Sequence, residues 1–160
     1  RAAYSLTPDY LEAGHSEAPW PYEHMFQLTY GNRALKVWAA IARLGRSGVT
    51  ELVTRCNRLA KLLEERVRAA PDLELLSPAS LSVVNFRYRP AGGALDDAAL
   101  DDLNARIADA VSASGEAHLP TTRVGGKTSL RVCFLHYDND ELDVTHLIGL
   151  VGRLGGQLVS

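Results

Sequence analysis

The hydrophobic period of the chain changes at Pro71, and this change restricts the possible folds more than any other feature. Across 49–67 apolar residues recur every three or four positions, as they do on an amphipathic helix. Across 81–89 apolar and polar residues alternate instead, which is typical of a half-buried strand. The alternation directs Val84, Phe86 and Tyr88 to one face and Asn85, Arg87 and Arg89 to the other. The chain must therefore pack helices against a sheet.

The elements after Pro71 follow a regular order. The predicted elements are a strand at 73–77, a strand at 81–89, a helix from Asp96 or Asp97 to about Gly115, a hairpin turning at Gly125-Gly126, and a last helix from Asn139 or Asp140. This order predicts an α+β fold, in which a small antiparallel sheet carries helices on one face. Upstream, the segment 33–44 is rich in helix formers and ends at Gly45, a plausible C-cap. We expect Trp38 and the leucine stripes to lie in the core.

Composition excludes several functions. A length of 160 residues suits one domain, and a formal net charge of -2 provides no basic face for nucleic acid. The apolar runs are too short for a membrane span, and no signal peptide is visible. The chain opens with Arg1 rather than Met, so we expect a piece of a longer protein or an unrecorded start. Cys56 and Cys133 are expected to be free thiols in a reducing cytosol.

Metal binding and phosphate loops find no support in the residue spacing. The five histidines and two cysteines do not form ligand pairs such as two histidines one helical turn apart. The Gly-Gly pairs at 92–93 and 125–126 do not belong to a glycine-rich strand-to-helix fingerprint. We therefore predict no metal site.

The stretch "YSLTPDYLEAGHSEAPWPYEH" (4–24) has no regular period, although it holds three tyrosines, a tryptophan and two histidines. Physical reasoning alone leaves it an unusual aromatic arm. However, "TPDYL" (7–11) followed by "GNRALKVWAAIARLGRSGV" (31–49) resembles the C-terminal third of the group II pyridoxal-phosphate-dependent decarboxylases. The segments "LLSPASLSVVNFRYR" (75–89) and "LPTTRVGGKTSLRVCFLHYDNDELDV" (119–144) also resemble that family's small-domain strands and terminal helix. The similarity is collinear and spans essentially the whole chain.

The resemblance implies a role for the aromatic arm. In that family, which includes aromatic amino acid, histidine, glutamate and diaminobutyrate decarboxylases, the matching stretch is a mobile loop that closes over the active site, often that of the neighbouring subunit. Its tyrosine is thought to return a proton to the substrate Cα after carbon dioxide leaves, and Tyr10 matches it. A phenol on a closing lid suits this task because it delivers a proton while water is excluded. A surface tyrosine beside a turn is the alternative, and Tyr4 and Tyr22 do not match the motif.

Three further positions are candidates through the same resemblance. Arg33 matches a region where family members carry arginines near the cofactor or the substrate carboxylate, with a structural ion pair as the alternative. Gly31 resembles a position where the backbone approaches the cofactor phosphate of the partner subunit. Arg131 lies on a strand from which related aminotransferases hold the substrate α-carboxylate, and a buried structural pair is equally open. A guanidinium suits such roles because it forms paired hydrogen bonds with carboxylates.

The cofactor implied is pyridoxal 5'-phosphate, bound mainly by sequence that is not present. The family's cofactor-binding lysine directly follows a histidine, whereas Lys36, Lys61 and Lys127 do not. We therefore expect the 160 residues alone to be inactive. The expected organisation is a catalytic-loop arm at 1–32, connecting helices at 33–70 and a small C-terminal α+β domain at 71–160. The intact enzyme would be a cytoplasmic homodimer that decarboxylates an L-amino acid.

Two alternatives to this interpretation remain open. One is a fragment of an aminotransferase or lyase of the same fold type (fold type I), which would lack the lid tyrosine. The other is a stand-alone ferredoxin-like binding or dimerisation module. The sequence does not identify the substrate side chain.

Overall fold

The computed structural model describes residues 31–92 and 95–159. The elements in chain order are α1 (Arg33–Ala69), β1 (Leu73–Ser80), β2 (Val83–Tyr88), α2 (Asp97–Ser114), β3 (Thr121–Val124), β4 (Lys127–Cys133) and α3 (Glu141–Val159). The order after Pro71 is the one predicted from the sequence. Tyr10 lies outside the described residues. None of the helices in the described ranges is long and apolar enough to span a bilayer.

Helix α1 is interrupted at Gly45, where φ is 65° and ψ is -178°. This left-handed φ favours glycine because a Cβ would clash with the following carbonyl. The two helices predicted on either side of Gly45 are therefore the two parts of α1. The chain divides into two units at the same place, 1–45 and 46–160. The boundaries expected at 32/33 and 70/71 stay a prediction.

The helical part of the first unit exposes its apolar side chains. Trp38 is 66% exposed, and Leu35, Val37 and Ile41 are each more than half exposed. The prediction that Trp38 belongs to the core is therefore wrong for this chain. These apolar residues share one broad face of the helix, and apolarity alone does not show what covers that face.

In the second unit the strands form one antiparallel sheet in the order β1-β2-β4-β3. One sheet face presents Val84, Phe86, Tyr88, Leu130 and Val132 to a core shared with the helices. The buried residues of α1 in that core are Cys56, Leu59, Ala60, Leu63 and Val67. Helices thus cover one face of the sheet, as predicted. Its ββαββα order differs from the βαββαβ order of a ferredoxin-like module, so the topology does not support that alternative.

The helix ends follow the predicted capping residues. Asp96 caps α2 by accepting a hydrogen bond from the Ala99 N–H at 2.8 Å, and Gly115 ends that helix in a left-handed conformation. Asp140 accepts from the Leu142 N–H at 2.8 Å at the start of α3. Both cysteines are free thiols.

Candidate functional site

The four predicted site residues are distributed over both units of the chain, and only three of them lie among the described residues. Gly31 and Arg33 lie at the start of α1, in the first unit, and Arg131 lies in the middle of β4, in the second. Tyr10 is outside the described residues. The sheet face that carries Arg131 is therefore the part of the predicted site whose geometry can be followed in detail.

The start of α1 is held by local hydrogen bonds. Asn32 caps the helix by accepting from the Leu35 N–H at 3.2 Å, and the Gly31 carbonyl accepts from the Arg33 N–H at 2.8 Å. Among the described residues, a Cβ added at Gly31 would meet nothing within 4 Å, so their packing does not require glycine there. The exposed Arg33 side chain forms no ion pair with the residues that the structure describes. The cofactor and substrate roles of both residues stay predictions.

The backbone of β4 sets the direction of Arg131. Alternation places Arg131 on the sheet face opposite the buried Leu130 and Val132, and its side chain is exposed. In the β2–β4 register Arg131 lies directly across from Asn85. Because the Arg131 N–H donates to Pro120 at 2.9 Å, on the β3 side, the Asn85–Arg131 pair is a non-hydrogen-bonded pair. Side chains approach most closely in such pairs, where the Cα atoms are about 4.5 Å apart.

A buried arginine occupies the same face one pair further along. Arg87 is 1% exposed, and its guanidinium binds Glu74 at 2.8 Å and Asp97 at 2.9 Å. Alternation alone placed Arg87 on the polar face without revealing this burial. Burial opposes the charge of Arg87, but the two carboxylates outweigh it and raise the pKa of the guanidinium.

Glu74 is shared among several cations. Burial tends to raise the pKa of Glu74, but the Arg87 hydrogen bond and the charges of Arg87, Lys127 and Arg89 outweigh burial and lower it. Lys127 and Arg89 lie 3.5 Å and 3.7 Å from its carboxylate. Both carboxylates near Arg87 are thus engaged, and within the described ranges no acidic group pairs with Arg131. Arg131 keeps an uncompensated positive charge that can bind an anion.

Asn85 is a residue of this face that the sequence analysis did not single out. Its Nδ2 donates to Ser77 Oγ on β1 at 3.3 Å. Its Oδ1 is buried and has no hydrogen-bond donor among the described residues. The alternating pattern put Asn85 on the correct face, but only the adjacency of β2 and β4 places it beside Arg131.

The lysines of the chain do not form a cofactor site. Lys61 pairs with Glu64 at 3.0 Å, Lys127 lies near Glu74, and Lys36 is exposed on α1. A lysine that binds a cofactor covalently needs a pocket and a depressed pKa instead of a carboxylate partner. These three residues therefore do not fit that role. In the described part of the chain, no group of three or more histidines, cysteines or acidic residues could hold a metal ion.

An α+β domain that presents an exposed arginine, unpaired among the described residues, on the sheet face opposite its core is suited to holding a carboxylate or phosphate group. The chain belongs to the pyridoxal-dependent decarboxylase family, because the model of that family's conserved domain matches residues 1–89. The match includes the arm that carries Tyr10 and extends through β2. The resemblance noted from the sequence motifs is thereby confirmed.

Characterised relatives agree with this membership. The chain is 30% identical over 132 residues to tryptophan decarboxylase TDC1 of Camptotheca acuminata. The alignment covers 81% of this chain and 26% of the relative. It is also 30% identical over 130 residues to L-2,4-diaminobutyrate decarboxylase of Acinetobacter baumannii. That alignment covers 79% of this chain and 25% of the relative. The chain thus spans about a quarter of the length of these relatives.

Solved structures share the fold. The glutamate decarboxylase domain of a diaminobutyrate-pyruvate transaminase and L-2,4-diaminobutyrate decarboxylase from Vibrio parahaemolyticus superimposes with a TM-score of 0.69 at 27% identity. The superposition covers 78% of this chain and 26% of that one. The α+β architecture of this chain is therefore also found as one part of that longer chain.

Proposed function

We propose that this chain is part of a pyridoxal-phosphate-dependent decarboxylase that converts an L-amino acid to an amine and carbon dioxide. The observation that carries the proposal is the family match over residues 1–89, which includes the lid motif around Tyr10. Because the chain spans about a quarter of its relatives, the cofactor-binding lysine would belong to polypeptide outside these 160 residues. The 160 residues alone would then be inactive.

The residues of this chain would act on the substrate in two ways. Tyr10 would donate a proton to the substrate Cα from a lid that excludes water, in the cytoplasmic homodimer expected for this family. Arg131 would hold the α-carboxylate through its uncompensated guanidinium. The cofactor, when bound by the rest of the enzyme, supplies the electron sink that lets carbon dioxide leave. Arg33 remains a candidate for binding the substrate carboxylate, and the Gly31 backbone remains a candidate for approaching the cofactor phosphate of the partner subunit.

The exposed apolar helix also agrees with a larger protein. Leu35, Trp38 and Ile41 are each more than half exposed, on a helix of only three turns before Gly45. An isolated domain rarely leaves so many large apolar groups in water on one short segment. We infer that the remainder of the enzyme covers these side chains.

Replacing Tyr10 with Phe in the full-length, cofactor-loaded enzyme tests the proposal. We expect the rate of amine formation to fall about 10²–10⁴-fold, because a positioned proton donor contributes about that much. The assay would use L-tryptophan and L-2,4-diaminobutyrate, which the names of two relatives suggest. Amine and carbonyl side products would both be quantified.

Tyr4→Phe and Tyr22→Phe are the matched controls, because these tyrosines flank the motif without matching it. We expect both to keep the wild-type rate of amine formation. If Tyr10→Phe left amine and side-product levels unchanged, the decarboxylase assignment would lose its main residue. A full-length wild-type enzyme that formed no amine would make an aminotransferase or lyase of the same fold type the better assignment.

A further inference from the structure

Two residues with unmet hydrogen-bonding groups are register partners across β2 and β4. Among the described residues, the buried Asn85 Oδ1 atom has no donor and the Arg131 guanidinium has no acceptor. Buried amide oxygens in native proteins are nearly always hydrogen-bonded, so an exception calls for a cause. One such cause is a donor that forms its hydrogen bond with the oxygen only when a ligand is bound.

The orientation of the Asn85 amide is set from the β1 side. Ser77 on β1 accepts from Nδ2 at 3.3 Å, and Ser77 and Asn85 are register partners. Since the amide nitrogen and oxygen lie on opposite edges of the group, Oδ1 is turned toward β4. The residue directly across on β4 is Arg131, in the closely spaced type of pair.

We propose that Asn85 is a positioning residue that holds the Arg131 guanidinium while it binds the substrate carboxylate. This inference rests on the proposed function of Arg131. A guanidinium has five N–H donors, and a bidentate carboxylate uses two of them, so one more can bond to Asn85 Oδ1. The neutral amide orients the cation without neutralising it. An aspartate at the same place would compete with the substrate for the positive charge.

The neighbouring arginine shows the contrast on the same sheet face. Arg87 is held by two carboxylates, Glu74 and Asp97, and it is 1% exposed. Arg131 is exposed and faces an amide. One cation is thus locked into the fold by charged partners, whereas the other is left charged and accessible beside a neutral acceptor.

The test measures steady-state kinetics of the full-length enzyme with L-tryptophan or L-2,4-diaminobutyrate, whichever is turned over faster. Its amine product is used as a competitive inhibitor that lacks the carboxylate. We expect Arg131→Ala to raise KM about 10- to 100-fold, since hydrogen bonds to charged groups contribute that much. Asn85→Ala should raise KM about 3- to 10-fold with little change in kcat, as expected for lost ground-state binding.

Asn85→Asp tests the positioning role more sharply than Asn85→Ala does. It keeps the size of the side chain but adds a carboxylate, so KM should rise more than in Asn85→Ala. The inhibition constant of the amine should stay at its wild-type value in both variants, which a merely structural defect would not allow. Arg106→Ala, which removes an exposed arginine paired only with Asp102 on α2, is the charge control and should leave KM unchanged.

The outcomes separate the two hypotheses. If Arg131→Ala left KM unchanged, the carboxylate role of Arg131 would be wrong and the Asn85 inference would fall with it. A raised KM in Arg131→Ala with wild-type KM in both Asn85 variants would overturn the Asn85 inference alone. Equal losses of amine and amino acid affinity in the Asn85 variants would also overturn it, because they indicate a distorted sheet.

Discussion

Single residues in this chain carry charge in two different ways. Arg87 and Glu64 are buried and paired, whereas Arg131 is exposed and unpaired among the described residues. Glu64, on α1, accepts from Arg68 at 2.8 Å, Lys61 at 3.0 Å and the Ala79 N–H at 3.0 Å. This carboxylate ties α1 to β1 because Ala79 belongs to the edge strand. Buried charges of this kind serve the fold.

Glu64 should make the stability of the fold depend on pH. The hydrogen bonds from Arg68, Lys61 and Ala79 lower the pKa of Glu64 from 4.5 to about 2. A carboxylate with a lowered pKa stabilises the fold above its ordinary pKa, and this contribution is lost as the pH falls from 4.5 toward 2. Glu64→Gln should therefore be less stable than wild type at pH 7, and the gap should narrow toward pH 2.

Urea unfolding at several pH values measures this gap. Glu65→Gln is the matched control, because Glu65 is the exposed neighbour on the same helix and should show little difference from wild type. A gap between wild type and Glu64→Gln that stayed constant down to pH 2 would show that the carboxylate charge does not stabilise the fold.

At the scale of elements, α3 approaches β2 through a glycine. A Cβ added at Gly155 would lie 2.8 Å from three ring carbons of Tyr88, which is closer than such atoms pack. The ring cannot easily move away, because Asn104 of α2 holds the Tyr88 backbone by accepting from its N–H at 2.7 Å and donating to its carbonyl at 2.9 Å. Small size at position 155 therefore sets the distance between helix and sheet.

Overpacking a core usually costs about 1–3 kcal/mol. Since alanine gains roughly 1 kcal/mol over glycine in a helix, Gly155→Ala should destabilise the fold by up to about 2 kcal/mol. Urea unfolding of the 160-residue chain gives the free energy directly.

Gly149→Ala is the matched control on the same helix. A Cβ there would meet nothing within 4 Å, so alanine should stabilise the fold by about 0.5–1 kcal/mol. If both variants changed stability in the same direction and by the same amount, the contact between Gly155 and Tyr88 would not control the packing.

At the scale of the whole molecule, the sheet and its two following helices depend on the second part of α1. Its side chains at Leu59, Ala60, Leu63 and Val67 are 0–1% exposed and belong to the common core. Removing them would uncover a large apolar surface on the remaining elements. The small domain expected at 71–160 therefore lacks part of its own core.

We expect residues 46–160 to unfold cooperatively, whereas residues 72–160 should bind hydrophobic dyes and aggregate. Burying a large apolar side chain contributes about 1.5–3 kcal/mol, so losing several removes a free energy comparable to the stability of a typical small domain. Calorimetry and size-exclusion chromatography of both pieces provide the measurement. A cooperative monomer formed by 72–160 would instead support a stand-alone module.

Much of the fold could be predicted because its signals are local. The caps at Asp96 and Gly115, the helix break at Gly45 and the alternation of β2 each depend on residues within one turn or one strand. The burial of Arg87 could not be predicted in this way, because its partners Glu74 and Asp97 are 13 and 10 residues away and on separate segments. The core assignment of Trp38 was wrong for a similar reason, since apolarity alone does not show what covers a helix.

The same distinction between local signals and long-range contacts applies to the candidate site. The sequence by itself determined the order of the elements, the membership of the family through its collinear motifs, and the strand on which Arg131 lies. Only the tertiary structure decided that β2 pairs with β4, that Asn85 therefore faces Arg131, and that the nearby carboxylates are occupied by Arg87. Period and capping are properties of a few consecutive residues, whereas strand pairing and charge compensation depend on which distant segments meet.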